Sequence, residues 1–361
     1  MFDRRFWLGL FASALFLGLL AWRVDLGGTV RALKEANYLF VVPGLGFYVV
    51  ALVFRTVRWQ IMLRPLRSVA FTRLFPVMVV GYMANNLLPV RLGELVRSYY
   101  VGQREDVSKS AALATIVVER VLDGVTLLLF LVVASVLLPG TGLVRDLASD
   151  AGVPLLVLVG AMTAPFVAVV ALLVVLVRWP EWLLRQVSLG AGLLPGGGQA
   201  RVTEMAALFV SGLAVLRDSR RLGSLLLLSL PVWLGEAAMY LVIGYGFGLT
   251  SPLGGIGVMA VAMLAVAATS NLALTLPASQ GGIGPFEFFA AATLVVLGVQ
   301  QEVAAAYAVV LHVALLVPVT LLGVVYLWAG KESLMRMVRI GAAGVGETAP
   351  TGLKSVAEET P

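Results

Sequence analysis

The stretch NNLLPVRLGELVR, residues 85–97, follows directly on the apolar run LFPVMVVGYMA and carries two asparagines, a proline, a glycine, two arginines and a glutamate. Its residue types fit the recognition of an anion. Arginine presents a planar fork of donors matched to phosphate, so Arg91 and Arg97 are candidates to receive an anionic group from a cavity. Asn85 and Asn86 can hydrogen-bond carbonyls freed by a chain break, Pro89 and Gly93 supply the turn, and Glu94 can pair with Arg97 at i, i+3 on a helix. The same arginines also fit a cytoplasmic turn whose charged heads snorkel to water. A second break, LTLPASQGGIGPFE at residues 274–287, has no basic residue. It offers Ser279, Gln280 and Glu287, with turn backbone at Pro277, Gly281, Gly282 and Gly284, in the manner of an anion nest or a hinge.

Three further charges, Glu119, Arg120 and Asp123, lie in VVERVLDGV. A charge in a bilayer costs roughly 3 kcal/mol on insertion scales, so such residues face a bundle interior and pair. Arg120 and Asp123 stand at i, i+3 and Glu119 shares a face with Asp123 at i, i+4. A structural ion pair and a role in a cavity both fit them. His312, the one histidine in the protein, sits in AVVLHVALLVP; it fits either a hydrogen-bonded packing residue or a proton-coupling group. Glu236 in LPVWLGEAAMY and Asn271 in ATSNLALTLP complete the polar set, Asn271 being expected to be structural and Glu236 to line a cavity or bond a neighbouring helix. Without cysteine and with one histidine, neither a disulfide nor a metal site of ordinary spacing is expected. No cofactor is implied, and no catalytic signature surrounds Glu119, Asp123 and His312, so an enzyme is not expected.

The elements that must position these residues are apolar helices. Sixty percent of the residues are hydrophobic and 13% charged, outside the range of soluble domains. The expected fold class is an all-α polytopic membrane protein, with about six full transmembrane helices near 6–22, 39–57, 110–138, 152–177, 223–247 and 303–329. The first run, after MFDRR, ends at Trp22 and Arg23 without a cleavage pattern and reads as an uncleaved anchor. Arginines at 55, 58, 64, 67 and 73, and again across 178–222, mark cytoplasmic segments of a protein in the cell membrane. The tail, with Lys331, Arg336 and Arg339, falls on the same side, so both termini are expected in the cytoplasm.

That orientation makes 74–109 a hairpin entering from the cytoplasm and 254–302 one entering from outside. Two oppositely oriented broken or re-entrant hairpins form an inverted repeat, with halves at 39–177 and 223–330 joined by the cytoplasmic loop 178–222. The whole of 1–330 reads as a single membrane domain, followed by a flexible tail at 331–361. Glu94 to Glu119 and Glu287 to His312 are both 25 residues, which places Glu119 and His312 at equivalent points. Transporters commonly put their site where such broken elements meet.

The pairing of NNLLPVRLGELVRSYYV with LPASQGGIGPFE, preceded by RTVRWQIML, resembles the flippase-like membrane domain of the lysylphosphatidylglycerol synthase family over roughly residues 6–330. The resemblance implies a domain that moves or presents an anionic, amino-acid-modified or sugar-linked lipid between leaflets. In some relatives it is fused to a soluble aminoacyltransferase; no such domain follows here, so lipid synthesis is not expected. The expected partners are membrane lipids and a separate lipid-modifying enzyme or glycosyltransferase, not nucleic acid, with oligomerisation left open. An accessory subunit that holds a polyprenyl-linked or glycolipid substrate for such an enzyme is the second reading.

Overall fold

In hydrocarbon a backbone must satisfy its own hydrogen bonds, so long runs of Leu, Val and Ala fold as helices. The computed structural model describes residues 4–88, 92–138, 178–191, 198–213, 219–275 and 280–330, with scattered positions between 149 and 175. Its helices are α1 (Arg4–Arg23), α2 (Leu26–Glu35), α3 (Val41–Leu63), α4 (Phe71–Leu87), α5 (Gly93–Glu105) and α6 (Lys109–Leu137). There follow α7 (Pro180–Ala191), α8 (Gly198–Gly212), α9 (Ser219–Gly246), α10 (Ile256–Ala273), α11 (Pro285–Val296) and α12 (Gln301–Ala329). Among the described residues there is no strand. Local chemistry sets several ends: the Asp25 carboxylate accepts from the Gly27 and Gly28 N–H groups at the start of α2, and Ser108 caps α6.

Among the described residues, four helices are by themselves long and apolar enough to cross a membrane: Tyr38–Leu63, Arg220–Gly246, Ile256–Ala273 and Gln301–Ala329. The expected six full spans are matched one by one only in part. The first expected span counts only together with α2, across an 88° bend. α6 has 29 residues but carries Glu119, Arg120 and Asp123 in its first half. The expected span 152–177 and the tail 331–361 lie outside the described residues, apart from scattered positions in the former. Conversely, the second broken region contains α10, which is long enough to cross on its own.

The two hairpins each return to the end they left. Arg67 donates to Asp106 at 2.9 Å and Arg73 to Glu105 at 3.1 Å, which ties the α3–α4 turn to the α5–α6 turn at one end of the bundle. At the other end the Asn37 N–H donates to the Gly246 carbonyl, and Gly28 lies against Glu302. Thus the outer ends of α4 and α5 lie at one end of the bundle, and the α9 end and α12 start at the other. Within this frame α3 packs along α9, α4 against α12 and α10 against α6.

Buried Trp59, Met62, Leu74, Met78 and Met83 fill the space between α3, α4, α5 and α6. A second apolar cluster, with Met239, Tyr240, Met263, Phe286, Tyr307 and Leu311, fills that between α9, α10, α11 and α12. Small residues bring the backbones close, as membrane packing requires. A Cβ at Gly212 on α8 would stand 2.3 Å from the Ala111 carbonyl of α6. Gly212→Ala is therefore expected to cost ~1–3 kcal/mol by prising α8 from α6, read as a lowered thermal midpoint in detergent.

Candidate functional site

α3 does not end where its charges begin. It continues to Leu63, so Arg55 and Arg58 are buried inside the bundle at 4% and 0% exposure instead of lying in a cytoplasmic loop as the sequence reading had them. They are one side of a network whose other side comes from α6. Arg58 donates to Asp123 Oδ1 at 2.7 Å and to Ser229 Oγ at 2.7 Å. Arg55 donates to Glu236 Oε2 at 2.6 Å and to the Tyr82 hydroxyl at 2.9 Å. Trp233 Nε1 adds a donor to Asp123 at 3.0 Å, and its ring lies beneath the Arg55 guanidinium at 4.6 Å.

Arg97 enters from the first hairpin. It grips Glu119 with both terminal nitrogens, at 3.1 and 2.9 Å, and stacks 4.2 Å over Trp59, whose indole donates to Thr115. The passage for it is made by two glycines: a Cβ on Gly81 would meet Arg97 Cγ at 2.2 Å, and one on Gly93 would meet the Gly81 carbonyl at 2.1 Å. Arg120 closes the array, bonding Glu119, lying 3.2 Å from Asp123 and reaching 3.8 Å from Glu94. Arg55, Arg58, Arg97 and Arg120 are thus set against Glu94, Glu119, Asp123 and Glu236, four cations and four anions. The side chains of Arg120 and Glu94 are 30% and 24% exposed, whereas those of Arg58, Arg97 and Glu119 are sealed. Each guanidinium keeps its Nε–H without a hydrogen-bond partner among the described residues.

The second hairpin carries a smaller site. His312 Nδ1 lies 2.6 Å from Glu287 Oε1 and Nε2 lies 3.1 Å from the Gly281 carbonyl. Glu287 Oε2 accepts the Gly284 N–H at 2.7 Å, fixing the start of α11, where Gly284 holds φ 104°, a conformation other residues avoid. Phe286 stacks on the imidazole at 4.2 Å. The two sites are joined: Tyr240 packs edge-on against Phe286, and both Tyr240 and Asn271 hydrogen-bond Glu236, the partner of Arg55.

Glu119, Arg120, Asp123, Arg97, Glu94 and Glu236 come together in one array. Arg97 and Glu94 do not pair with each other: Arg97 turns to Glu119 and Glu94 faces Arg120. Asn85 accepts the Gly93 N–H at 2.9 Å, a freed donor and not a freed carbonyl, while Asn86 donates to the Leu316 carbonyl and Thr320 of α12. Gln280 begins the turn that leads to Gly281 and Gly282, and Gly281 lies beside Asn86, so the two breaks meet. Arg91, Pro89, Pro277 and Ser279 lie outside the described residues. Arg55, Arg58, Tyr82, Ser229, Trp233 and Tyr240 were not anticipated as members of the site. A usable signal existed for the first two, since Arg55, Arg58 and Trp59 recur at helical spacing on α3.

An all-helical bundle with spanning apolar helices and a neutralised charge array at its centre defines an integral membrane protein. The chain matches the family described as "Lysylphosphatidylglycerol synthase TM region" over residues 6–323, and it belongs to that family. Among curated proteins it is similar to "Glycosyltransferase AglD" of Haloferax volcanii, 28% identical over 335 residues. It is also similar to a UPF0104 membrane protein of Methanocaldococcus jannaschii, 30% identical over 124 residues, and to one of Methanothermobacter thermautotrophicus, 35% identical over 95 residues. These alignments cover 87%, 34% and 26% of this chain, and 52%, 37% and 28% of the relatives. The chain thus spans about half the length of the first relative or less of the others. No solved structure matches it.

Proposed function

We propose that the protein is a flippase-like lipid transporter that moves or presents an anionic, amino-acid-modified or sugar-linked lipid, admitting the headgroup between its two hairpins while the acyl chains stay in the bilayer. The observation that carries this reading is the balanced arginine–carboxylate array at the level of the first hairpin, which among the described residues opens at Arg120 and Glu94. A buried array with unused Nε–H donors and a single half-exposed cation is suited to exchange a carboxylate partner for a headgroup oxygen. In this reading Arg120 and Glu94 meet the lipid first, Arg91 attracts it, and Arg97 is the locked support behind them.

The architecture supports alternating access. Helix order, the two 29-residue helices α6 and α12, and the crossed packing of α4 on α12 and α10 on α6 fit two inverted halves, 39–177 and 223–330. Glu119 is 10 residues into α6 and His312 is 11 into α12, so both lie about 15 Å deep from opposite ends. The basic end, with Arg64, Arg67 and Arg73, is assigned to the cytoplasm of the cell membrane, with both termini on that side. The carboxylates Glu119 and Asp123 already hold arginines and His312 holds Glu287, which favours a non-enzymatic role.

Arg120→Gln is expected to lower lipid movement in reconstituted vesicles about tenfold, the worth of one charge-assisted hydrogen bond, with a smaller fall in thermal midpoint than Glu119→Ala because Arg58 and Arg97 still face Asp123 and Glu119. Native mass spectrometry should show the co-purified lipid lost in the same variant. Unchanged translocation and unchanged lipid retention would remove the headgroup site from this opening. The second reading, an accessory subunit holding a lipid-linked sugar for a separate glycosyltransferase, is favoured by one finding: the similarity to a longer protein that is itself named a glycosyltransferase. Retained lipid with no movement in vesicles would select it.

A further inference from the structure

Both ring nitrogens of His312 face oxygen atoms, and that geometry favours a protonated pair. The Gly281 carbonyl can only accept, so Nε2 at 3.1 Å must carry a hydrogen. Nδ1 then faces Glu287 Oε1 at 2.6 Å, and that contact needs a proton of its own, because an imidazole lone pair and a carboxylate oxygen otherwise oppose each other. The pair therefore holds one proton more than a neutral histidine beside an ionised glutamate. The remaining carboxylate oxygen is engaged by the Gly284 N–H, and Phe286 pins the ring, so neither group can turn away without releasing the turn.

We propose that Glu287 and His312 form a proton-binding site, in which one proton bridging Nδ1 and Oε1 latches the Gly281–Gly284 turn to α12, and loss of that proton to water frees the turn. This links protonation to the second hairpin and, through Phe286, Tyr240 and Glu236, to Arg55 of the arginine array. The charges on the elements packed around the pair are these: α2, against α12, carries Arg31, Lys34 and Glu35 after Asp25 at its cap, and α3 carries Arg55 and Arg58 of the array. α10 has no charged residue, α11 has Glu287 alone, and α12 adds Glu302 in its first turn. α4 contributes Arg73 at its start, and Arg4, Arg5 and Arg23 lie at the ends of α1. α9 contributes Arg220 and Arg221 at its start and Glu236, which is already bound to Arg55. Among the phenols, Tyr240 meets Phe286 and donates to Glu236, and Tyr307 donates to the Tyr240 carbonyl. The Ile283 side chain of the turn is 40% exposed, while its carbonyl accepts from Ser13 Oγ of α1 at 2.6 Å.

The inference rests on the second hairpin being a moving part of the transporter, and its test reads the proton, the turn and the lipid separately. The whole chain, with isotope-labelled histidine, is reconstituted in phosphatidylcholine–phosphatidylglycerol vesicles. With one histidine in the protein, nitrogen NMR reports its ring without assignment. Across an upward pH series the ring should pass in one step between two nitrogen signatures, with and without the bridging proton. With no native cysteine, the thiol introduced by Ile283→Cys should label faster over the same step, by about tenfold relative to one introduced by Ser251→Cys. In Glu287→Gln the amide donates to Nδ1 without a titrating proton, so labelling should stay slow at every pH while the protein remains monodisperse. A histidine that does not titrate, a labelling ratio that is flat while it does, or a pH step that survives in Glu287→Gln would each overturn the latch. Lipid movement assayed in the same vesicles fails or persists independently of these readouts, so the transport reading is judged apart.

Discussion

Glu119→Ala is expected to destabilise the protein by ~3–5 kcal/mol, the cost of stranding a buried charge by removing its partner. The carboxylate is fully buried and holds Arg97 through two hydrogen bonds and Arg120 through another, with Arg58 at 3.9 Å. Its loss leaves Arg97, 3% exposed, with no anion inside an apolar bundle. Arg58 and Arg120 suffer less, because Asp123 still faces both. Glu119→Gln should fall between the parent and the alanine variant. The double change Arg97→Met with Glu119→Leu should recover most of the loss, since it deletes both charges of the sealed pair and keeps the volume. Size-exclusion after graded heating in detergent measures all four proteins. An alanine variant with the parent's midpoint would mean that the array does not hold the bundle together.

The second large effect is expected at Gly93→Ala. Its Cβ would stand 2.1 Å from the Gly81 carbonyl and 2.5 Å from Asn85 Oδ1. A backbone oxygen cannot swing aside as a side chain can, so α5 must move away from α4 and carry Arg97 off Glu119. The bidentate pair at 2.9 and 3.1 Å does not survive a displacement of that size. A destabilisation of ~3 kcal/mol or more, with lipid movement lost, is the expected outcome. Gly46→Ala is the control: nothing lies within 4 Å of its added Cβ, and it should change stability by less than about 0.5 kcal/mol. Stability and translocation measured side by side on the two variants decide the matter, and parent-like behaviour of Gly93→Ala would show that the helices can part without consequence.

Some of this arrangement was legible in the residues alone. Proline, glycine and asparagine at 85–93 and the glycine run at 281–284 mark breaks in apolar runs, and breaks at depth must be buried. The i, i+3 spacing of Arg120 and Asp123 likewise forecast their proximity, which the structure gives at 3.2 Å. Arg55 and Arg58 were misplaced for a physical reason. Basic residues after an apolar run normally mark its cytoplasmic end, and nothing local distinguishes an arginine that reaches water from one that reaches a carboxylate 65 residues later. The acidic residues of α6 needed cations, but composition does not say which helix supplies them. The contact between Glu287 and His312 was similarly hidden inside their spacing, which fitted equivalence with Glu94 and Glu119 as well as a direct bond. Glu119 meets Arg97 instead of Glu94, so the two 25-residue spacings carry different partnerships.

The stacking of Trp59 on Arg97 and of Trp233 on Arg55 gives the charge array an optical voice. A guanidinium over an indole face attracts its electron density, and the colour of the emitted light follows the local field. The other five tryptophans, at 7, 22, 179, 182 and 328, are exposed, so replacing them with phenylalanine leaves two chromophores, both inside the array. Any anion that draws Arg97 or Arg55 from its carboxylate must shift that emission, so occupancy of the array could be followed without a dye.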